Sequence, residues 1–346
     1  MAYSTISKPS LHFNTVTYSG NSSTNNITGV GFQPDWLWIK ARNYAENHVL
    51  YDAVRGVTKQ LYSNTSGAES TNATALTAFA SDGFNLATAN GNTNANGTNF
   101  VAWNWKAGTT FSNNAGANGA DIASSGSINT TAGFSIIKAT SDSAADKNIA
   151  HGLGVVPDVI FSKNLDSGYN WDIYFKTLGY NSALRLNSTN VGLTGRWGSS
   201  AFTTNTFQTK ESYSSANGDE YIYYCFASKT GYSKFGSYTG NGNADGTFVY
   251  TGFKPAWILV KNSQQGGDHW YIWDNKRTEY NQIQKYLGPS RNNAEADSSS
   301  YAIDIMSNGF KIRSSTGAIN NNGEKIVYMA FGQSLVGSNN VPATAF

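Results

Sequence analysis

Along this chain apolar residues come in short runs, rich in aromatic and β-branched side chains, and Gly, Asn, Asp and Ser separate each run from the next. Some runs alternate with polar residues and some stay apolar throughout; both patterns predict β-strands. One run is met three times. Gly31-Phe32-Gln33-Pro34-Asp35-Trp36-Leu37-Trp38-Ile39-Lys40 returns as Gly154-Val155-Val156-Pro157-Asp158-Val159-Ile160-Phe161-Ser162-Lys163 and as Gly252-Phe253-Lys254-Pro255-Ala256-Trp257-Ile258-Leu259-Val260-Lys261. In each copy a Gly-x-x-Pro turn releases a buried strand that closes on a lysine.

The runs after each copy keep their order. After Pro34 come 48–52, 61–63, 81–86 and 99–106; after Pro157 come 171–175, 183–186, 205–209 and 221–227; after Pro255 come 269–274, 308–312 and 325–331. Pro34 and Pro157 are 123 residues apart, as are Phe84 and Phe207; the next intervals are 98 and 103 residues. The expectation is an all-β chain of three tandem antiparallel β-sandwich or jelly-roll modules, at 18–108, 133–228 and 235–333. Residues 1–17, polar and carrying Pro9, are expected to form an N-terminal arm. The Gly-, Ala-, Ser- and Asn-rich stretch 109–132 reads as a linker and 334–346 as a C-terminal tail. Steps of three at Tyr280, Ile283 and Tyr286 predict one or two helical turns over 279–286.

Composition sharpens this picture. Hydrophobic residues are only 39% but aromatics reach 14%, so the core is made of few, large side chains. Charged residues are 13%, about half the usual share, and hydroxyl and amide side chains take their place. With 24 basic against 22 acidic residues and no Lys/Arg run, nucleic acid is excluded as a partner. The single cysteine, Cys225, lies in an alternating aromatic run and reads as a small buried hydrophobe. The first residues lack the charged and apolar segments of a secretory signal, and no apolar run is of transmembrane length. Synthesis in a cytoplasm without membrane insertion is therefore expected.

Candidate chemistry is sparse. His12, His48, His151 and His269 stand in no metal-ligand spacing; His48 and His269 take matched places before an aromatic strand, where the second module has Asn170. Asp52, Asp172 and Asp274 fall on or after the second strand of each module, but no pair marks a glycosidase cleft. The loop 240–246 is Gly-rich without the Lys-Ser/Thr and helix of a phosphate loop. No catalytic residue, metal site or cofactor is expected. The tryptophans of the repeat-matched strands belong to the core, whereas Trp197, in the turn Gly195-Arg196-Trp197-Gly198, is the one expected at the surface.

Several motifs recur together: the Gly-Phe-x-Pro-Asp-Trp-Leu-Trp-Ile-Lys strand, Tyr51-Asp52-x-x-Arg55-Gly56-Val57, Ser81-Asp82-Gly83-Phe84, and Val101-Ala102-Trp103-Asn104-Trp105-Lys106-Ala107-Gly108. Together they resemble, over nearly the whole chain, a family of virion structural proteins of tailed bacteriophages, chiefly marine ones. The first module matches best, and the Tyr-Asp-x-x-Arg-Gly pattern is not carried by the other two. The resemblance implies concanavalin-like or SPRY-like β-sandwiches displayed on a virion, often encoded near tail-fibre genes, with no catalytic residues to carry over.

The expected function is thus a non-enzymatic virion component, assembled in the host cytoplasm as a homo-oligomer with other phage structural proteins. A tail-fibre or tail-appendage role, with lectin-like attachment to host-surface glycans through Trp197, Arg196, Asn190 and Asn205, stands ahead of capsid decoration and of a polysaccharide depolymerase. Pro9, Leu335, Val341 and Phe346 are the expected contacts with other virion chains.

Overall fold

The computed structural model describes residues 6–88, 90–142, 146–210 and 218–333. Its strands build antiparallel sheets, so the all-β expectation holds. In the first module they are β1 (Phe13–Ser19), β2 (Asn25–Ile27), β3 (Trp36–Ala41), β4 (Val49–Asp52), β5 (Lys59–Tyr62), β6 (Ser70–Thr71), β7 (Leu76–Ala80), β8 (Gly83–Leu86) and β9 (Asn99–Trp105). The second module has β10 (Thr109–Asn113), β11 (Ser124–Asn129), β12 (Phe134–Thr140), β13 (Lys147–Ala150), β14 (Val159–Asn164), β15 (Asp172–Phe175), β16 (Ser182–Arg185), β17 (Leu193–Thr194), β18 (Thr206–Thr209) and β19 (Glu220–Phe226). The third has β20 (Ser233–Thr239), β21 (Phe248–Tyr250), β22 (Pro255–Asn262), β23 (Tyr271–Asp274), β24 (Lys285–Tyr286), β25 (Ala296–Asp297), β26 (Ile303–Met306), β27 (Gly309–Ile312) and β28 (Lys325–Gly332).

One strand order recurs. The large sheet of the first module runs β1-β9-β3-β4-β5-β6, that of the second contains β12-β19-β14-β15-β16-β17, and that of the third runs β20-β28-β22-β23. A smaller sheet faces each: β2-β8-β7, β13-β18 and β21-β27-β26. The three Gly-x-x-Pro strands, β3, β14 and β22, hold the same place in this order.

Burial explains why those strands are apolar without interruption. All six residues of β3 are buried. Alternation sends Trp36 and Trp38 to one face, where they join a core shared with Tyr224 and Phe226 of the second module and Trp257 and Phe331 of the third. Leu37 and Ile39 point the other way, into a core private to the first module with Phe84 and Leu86 of its small sheet. The same split places Phe161 in the shared core and Ile160 in the private core of the second module, and Leu259 and Ile258 correspondingly in the third. Each large sheet is therefore covered on both faces, by its own small sheet outside and by the other two large sheets inside. Rings meet across the centre: Trp36 stacks on Tyr224 at 4.5 Å, Trp105 meets Trp257 edge-on at 5.7 Å, and Phe226 meets Phe331 at 6.0 Å.

The ring closes through one backbone hydrogen bond made three times. Glu69 N donates to Leu165 O at 2.8 Å, Gly192 N to Ser263 O at 3.1 Å, and Glu295 N to Arg42 O at 2.7 Å. In each case the donor directly precedes β6, β17 or β25 and the acceptor directly follows β14, β22 or β3. First holds second, second holds third, and third holds first. Local turns repeat as well: a Cβ on Gly83 would stand 2.0 Å from Ile27 O, and one on Gly309 2.2 Å from Val249 O, so each Ser-Asp-Gly or Ser-Asn-Gly turn needs its glycine for the neighbouring strand to approach.

Four expectations are corrected here. Residues 109–132 are not a linker, because β10 and β11 extend the second module's large sheet beside β12; with exposed Ser, Thr and Gly on these edge strands, composition did not betray them. Of the expected arm, residues 6–17 are part of the first module, since β1 pairs with β9 from Phe13 onward and Pro9 is buried in a single 3-10 turn; residues 1–5 lie outside the described residues. No helix forms over 279–286: Ile283 bridges to Ile303 and Tyr286 lies in β24, so the spacing of three reflects an irregular strand path. Strand register also equates His48 with Trp171 and Trp270, not with His269, because Val49, Asp172 and Tyr271 take equivalent places opposite the conserved strand.

Candidate functional site

The residues richest in chemistry tie the modules together. Asp52 ends β4; its carboxylate binds the Arg55 guanidinium, accepts the backbone N–H groups of Val54 and Arg55, and accepts Tyr224 Oη of the second module at 2.6 Å. Asp274 ends β23 and repeats this with Arg277, Lys276 N and Arg277 N, while Trp103 Nε1 of the first module donates at 3.0 Å. Each arginine reaches on to a carboxylate before the next short strand, Glu69 at 3.2 Å and Glu295 at 2.9 Å. The third module lacks the flanking Tyr and Gly, as the sequence shows, but keeps the inner Asp-x-x-Arg as Asp274 and Arg277. Burial alone would push the Glu295 carboxyl up, but the hydrogen bond from Arg42 and the charge of Arg277 outweigh it and hold it below the ordinary carboxylate range.

In the second module Phe175 and Leu178 replace the Asp and Arg, and Gly192 replaces the Glu. The strand position that supplies Tyr224 and Trp103 elsewhere is Met329 in the third module, by the pairing of Leu259 with Met329. Phe175 and Met329 belong to the same apolar core. Acceptor meets donor at two seams and apolar meets apolar at the other.

A second tie lies one turn away. Trp171 Nε1 donates to Tyr62 O at 2.9 Å and Trp270 Nε1 to Arg185 O at 2.8 Å, both across a seam. His48 takes that place in the first module; it accepts Trp38 Nε1 on Nδ1 at 3.0 Å, and burial keeps the ring neutral against the pull of the Gly288 carbonyl of the third module. The other histidines have their own partners: His12 with Asn129 of the second module, His151 with Leu153 N, His269 with Ser290. Burial pushes His151 down to about 4. Lys40, Lys163 and Lys261, which end the conserved strands, are fully buried and donate to backbone carbonyls, Lys163 to Ser66 O across a seam. Burial lowers each amine to about 8. Cys225 is buried and free.

The sequence-chosen sugar site does not assemble. Trp197 is fully buried, meeting Tyr174, Phe202 and Phe207 ring to edge in the second module's private core, so it offers no stacking face. Its turn is pinned by a bridge to Thr209, which turned a Gly-flanked Trp inward. Arg196 is drawn to Asp172, whose carboxyl burial raises to about 6 against the charges of Arg185 and Arg196. Asn190 is exposed beside Thr189, whose carbonyl accepts Gly267 N from the third module, and Asn205 is exposed in the turn held by Thr203 and Thr206. Of the expected virion contacts, Pro9 is buried within its own chain, and Leu335, Val341 and Phe346 lie outside the described residues.

A better candidate is a notch in the third module, of about 230 Å³, lined by Lys254, Lys276, Glu279 and Tyr280 over an apolar floor of Ile283 and Ile305. The β22 turn and the β23–β24 loop form its walls. Asn275 Nδ2 donates to Gln333 Oε1 at 3.1 Å, and Asn281 locks the loop to β26 by exchanging two 2.9 Å hydrogen bonds with Ile305. Tyr280 is 67% exposed at its rim. At the equivalent places the first module has Gln33, Ala53 and Val54, whereas the third combines ammonium groups, carboxamides and an open phenol ring. One carboxylate lines the notch, against the two a glycosidase needs. Its ammonium and carboxamide groups can hydrogen-bond and its exposed phenol ring can stack. Sequence reasoning missed it because Tyr280 had been assigned to a helix.

Among the described residues, no helix is long and apolar enough to cross a membrane, and no group of three His, Cys, Asp or Glu side chains is placed to hold a metal ion. The model of one family, described as a domain of unknown function (DUF7483), matches residues 8–334. No curated protein and no solved structure matches the chain.

Proposed function

The chain belongs to that DUF7483 family, and we propose that it is a non-enzymatic structural protein of a bacteriophage virion, a tail appendage that attaches to host-surface glycans. The observation that carries the reading is the division of labour among polar groups. The buried carboxylates and arginines are taken up as ties between modules, whereas the notch of the third module leaves Lys276, Glu279 and Tyr280 open to solvent. An exposed ring beside amide and ammonium groups is what a sugar needs for its apolar face and its hydroxyls. The phage assignment is supported by the sequence motifs described above. A chain that closes on itself without relying on a disulfide suits display on a particle.

The test has two parts. Antibody against the chain is expected to label particle tails, and purified chain is expected to bind host envelope polysaccharide without shortening it, Lys276→Ala with Tyr280→Ala weakening that binding. Labelling of heads together with no glycan binding would replace this reading by capsid decoration, and release of reducing ends would replace it by a depolymerase.

A further inference from the structure

The three small sheets offer an internal control, since register makes Ile27, Ile149 and Val249 equivalent opposite Phe84, Phe207 and Phe310. On their outer faces the first module presents Asn26 opposite Asn85 and the second Asn148 opposite Gln208. The third presents Phe248 opposite Lys311, with Tyr250 two residues on. Phe248 is 42% exposed, Tyr250 54% and Met306, across Gly309 from Tyr250, 40%. No packing demand explains them, because the inward positions Val249, Phe310 and Ile305 already fill the private core.

The rings lie along the sheet. A Cβ on Gly309 would stand 3.0 Å from the Phe248 ring, so that ring covers the glycine and shows its other side to solvent. Lys234 Nζ donates to Tyr250 O at 2.8 Å and sits 5.2 Å from the Tyr250 ring. At the rim Lys311 and Arg313 share Asp245 at 2.8 and 3.0 Å, and Arg313 also holds Asp304. Three cations thus face two carboxylates, and Asp245 is exposed enough for an incoming anion to compete with it in water.

We propose that this face is a platform for a uronate-containing polysaccharide, the rings taking the apolar faces of the sugars and Lys234, Lys311 and Arg313 their carboxylates. The proposal rests on the adhesin reading and names its ligand. A protein partner fits poorly, since stable interfaces engage roughly 20–30 residues a side and here three apolar side chains are at once bordered by charge.

The test grafts the first module's face onto the third, Phe248→Asn with Tyr250→Thr, and measures binding to polygalacturonate, to its methyl ester and to dextran. Wild type is expected to bind polygalacturonate at least about tenfold more tightly than the other two. The double variant is expected to lose about tenfold in affinity while its melting temperature stays put, as both side chains are exposed. Lys311→Gln is expected to weaken binding and flatten its salt dependence. Equal binding by the double variant, or equal binding of the methyl ester, would overturn the platform while leaving the adhesin reading to the notch. Wild type binding no glycan at all would sink both. A double variant that binds glycan normally but is missing from particles would assign the face to a protein neighbour instead.

Discussion

The seam between the first and second modules and the seam between the second and third use the same backbone geometry with opposite chemistry. At the former, Asp52, Arg55 and Glu69 form a buried charged chain that meets Tyr224; at the latter, Gly192 stands where Glu69 would, and Phe175, Leu178 and Met329 belong to one apolar core. The hydrogen bonds from Glu69 N and Gly192 N are made in both. A charged seam is therefore not required to close this ring. What is required is that both sides agree: a buried donor must meet an acceptor, and an apolar side must meet an apolar side.

Breaking that agreement should have the largest effect. Asp274→Ala leaves the Arg277 guanidinium, which is fully buried, without its main partner, and Phe175→Asp places a carboxylate opposite Met329 with no donor. Each is expected to lower stability by about 3–5 kcal/mol in urea melts. A loss below about 1 kcal/mol in either would mean that the seams are more open than described.

Transplanting a whole seam should do much less. Asp52→Phe, Arg55→Leu, Glu69→Gly and Tyr224→Met together recreate the second seam at the first. The quadruple variant is expected to lie within about 2 kcal/mol of wild type, far from the sum of the single changes, because replacing both sides of a buried pair removes the desolvation cost along with the attraction. Additive losses would show that the two seams are not interchangeable.

Much of this could be read in the chain beforehand. The Pro34, Pro157 and Pro255 strands, the all-β class and the aromatic core follow from residue pattern. The ring itself was not legible as such, although Trp36-Leu37-Trp38-Ile39 carried a hint: apolar on both faces, it needs a cover on each, and one sandwich partner supplies only one. The Asp52–Tyr224 and Asp274–Trp103 ties join residues about half the chain apart and emerge only once strand register is known. Trp197 misled because a turn flanked by Gly reads as surface, and the exposed Phe248 and Tyr250 were hidden in a run that alternates as a core strand does.

Stability is also expected to depend on pH. Lys40, Lys163 and Lys261 have their amines lowered by burial from 10.5 to about 8, so between these values the unfolded chain binds more protons and stability rises with pH. Tyr174 and Tyr328 are pushed up from 10.0 to about 12, again by burial, so above about pH 10 the unfolded chain loses protons first and stability falls. The melting temperature is expected to climb from pH 8 to near 10 and then decline. Lys163→Met should flatten the climb, and a profile that is unchanged in that variant would deny the burial of its amine.

The third module closes back on the first, making one cooperative ring. Native-state hydrogen exchange addresses it at three amides, Glu69, Gly192 and Glu295, each bonded across a different seam. All three are expected to exchange only through global unfolding, with the same opening free energy and the same denaturant dependence. Exchange of the Glu295 amide through a separate, low-energy opening, with the other two still protected, would contradict it and leave an open row of modules in place of the ring.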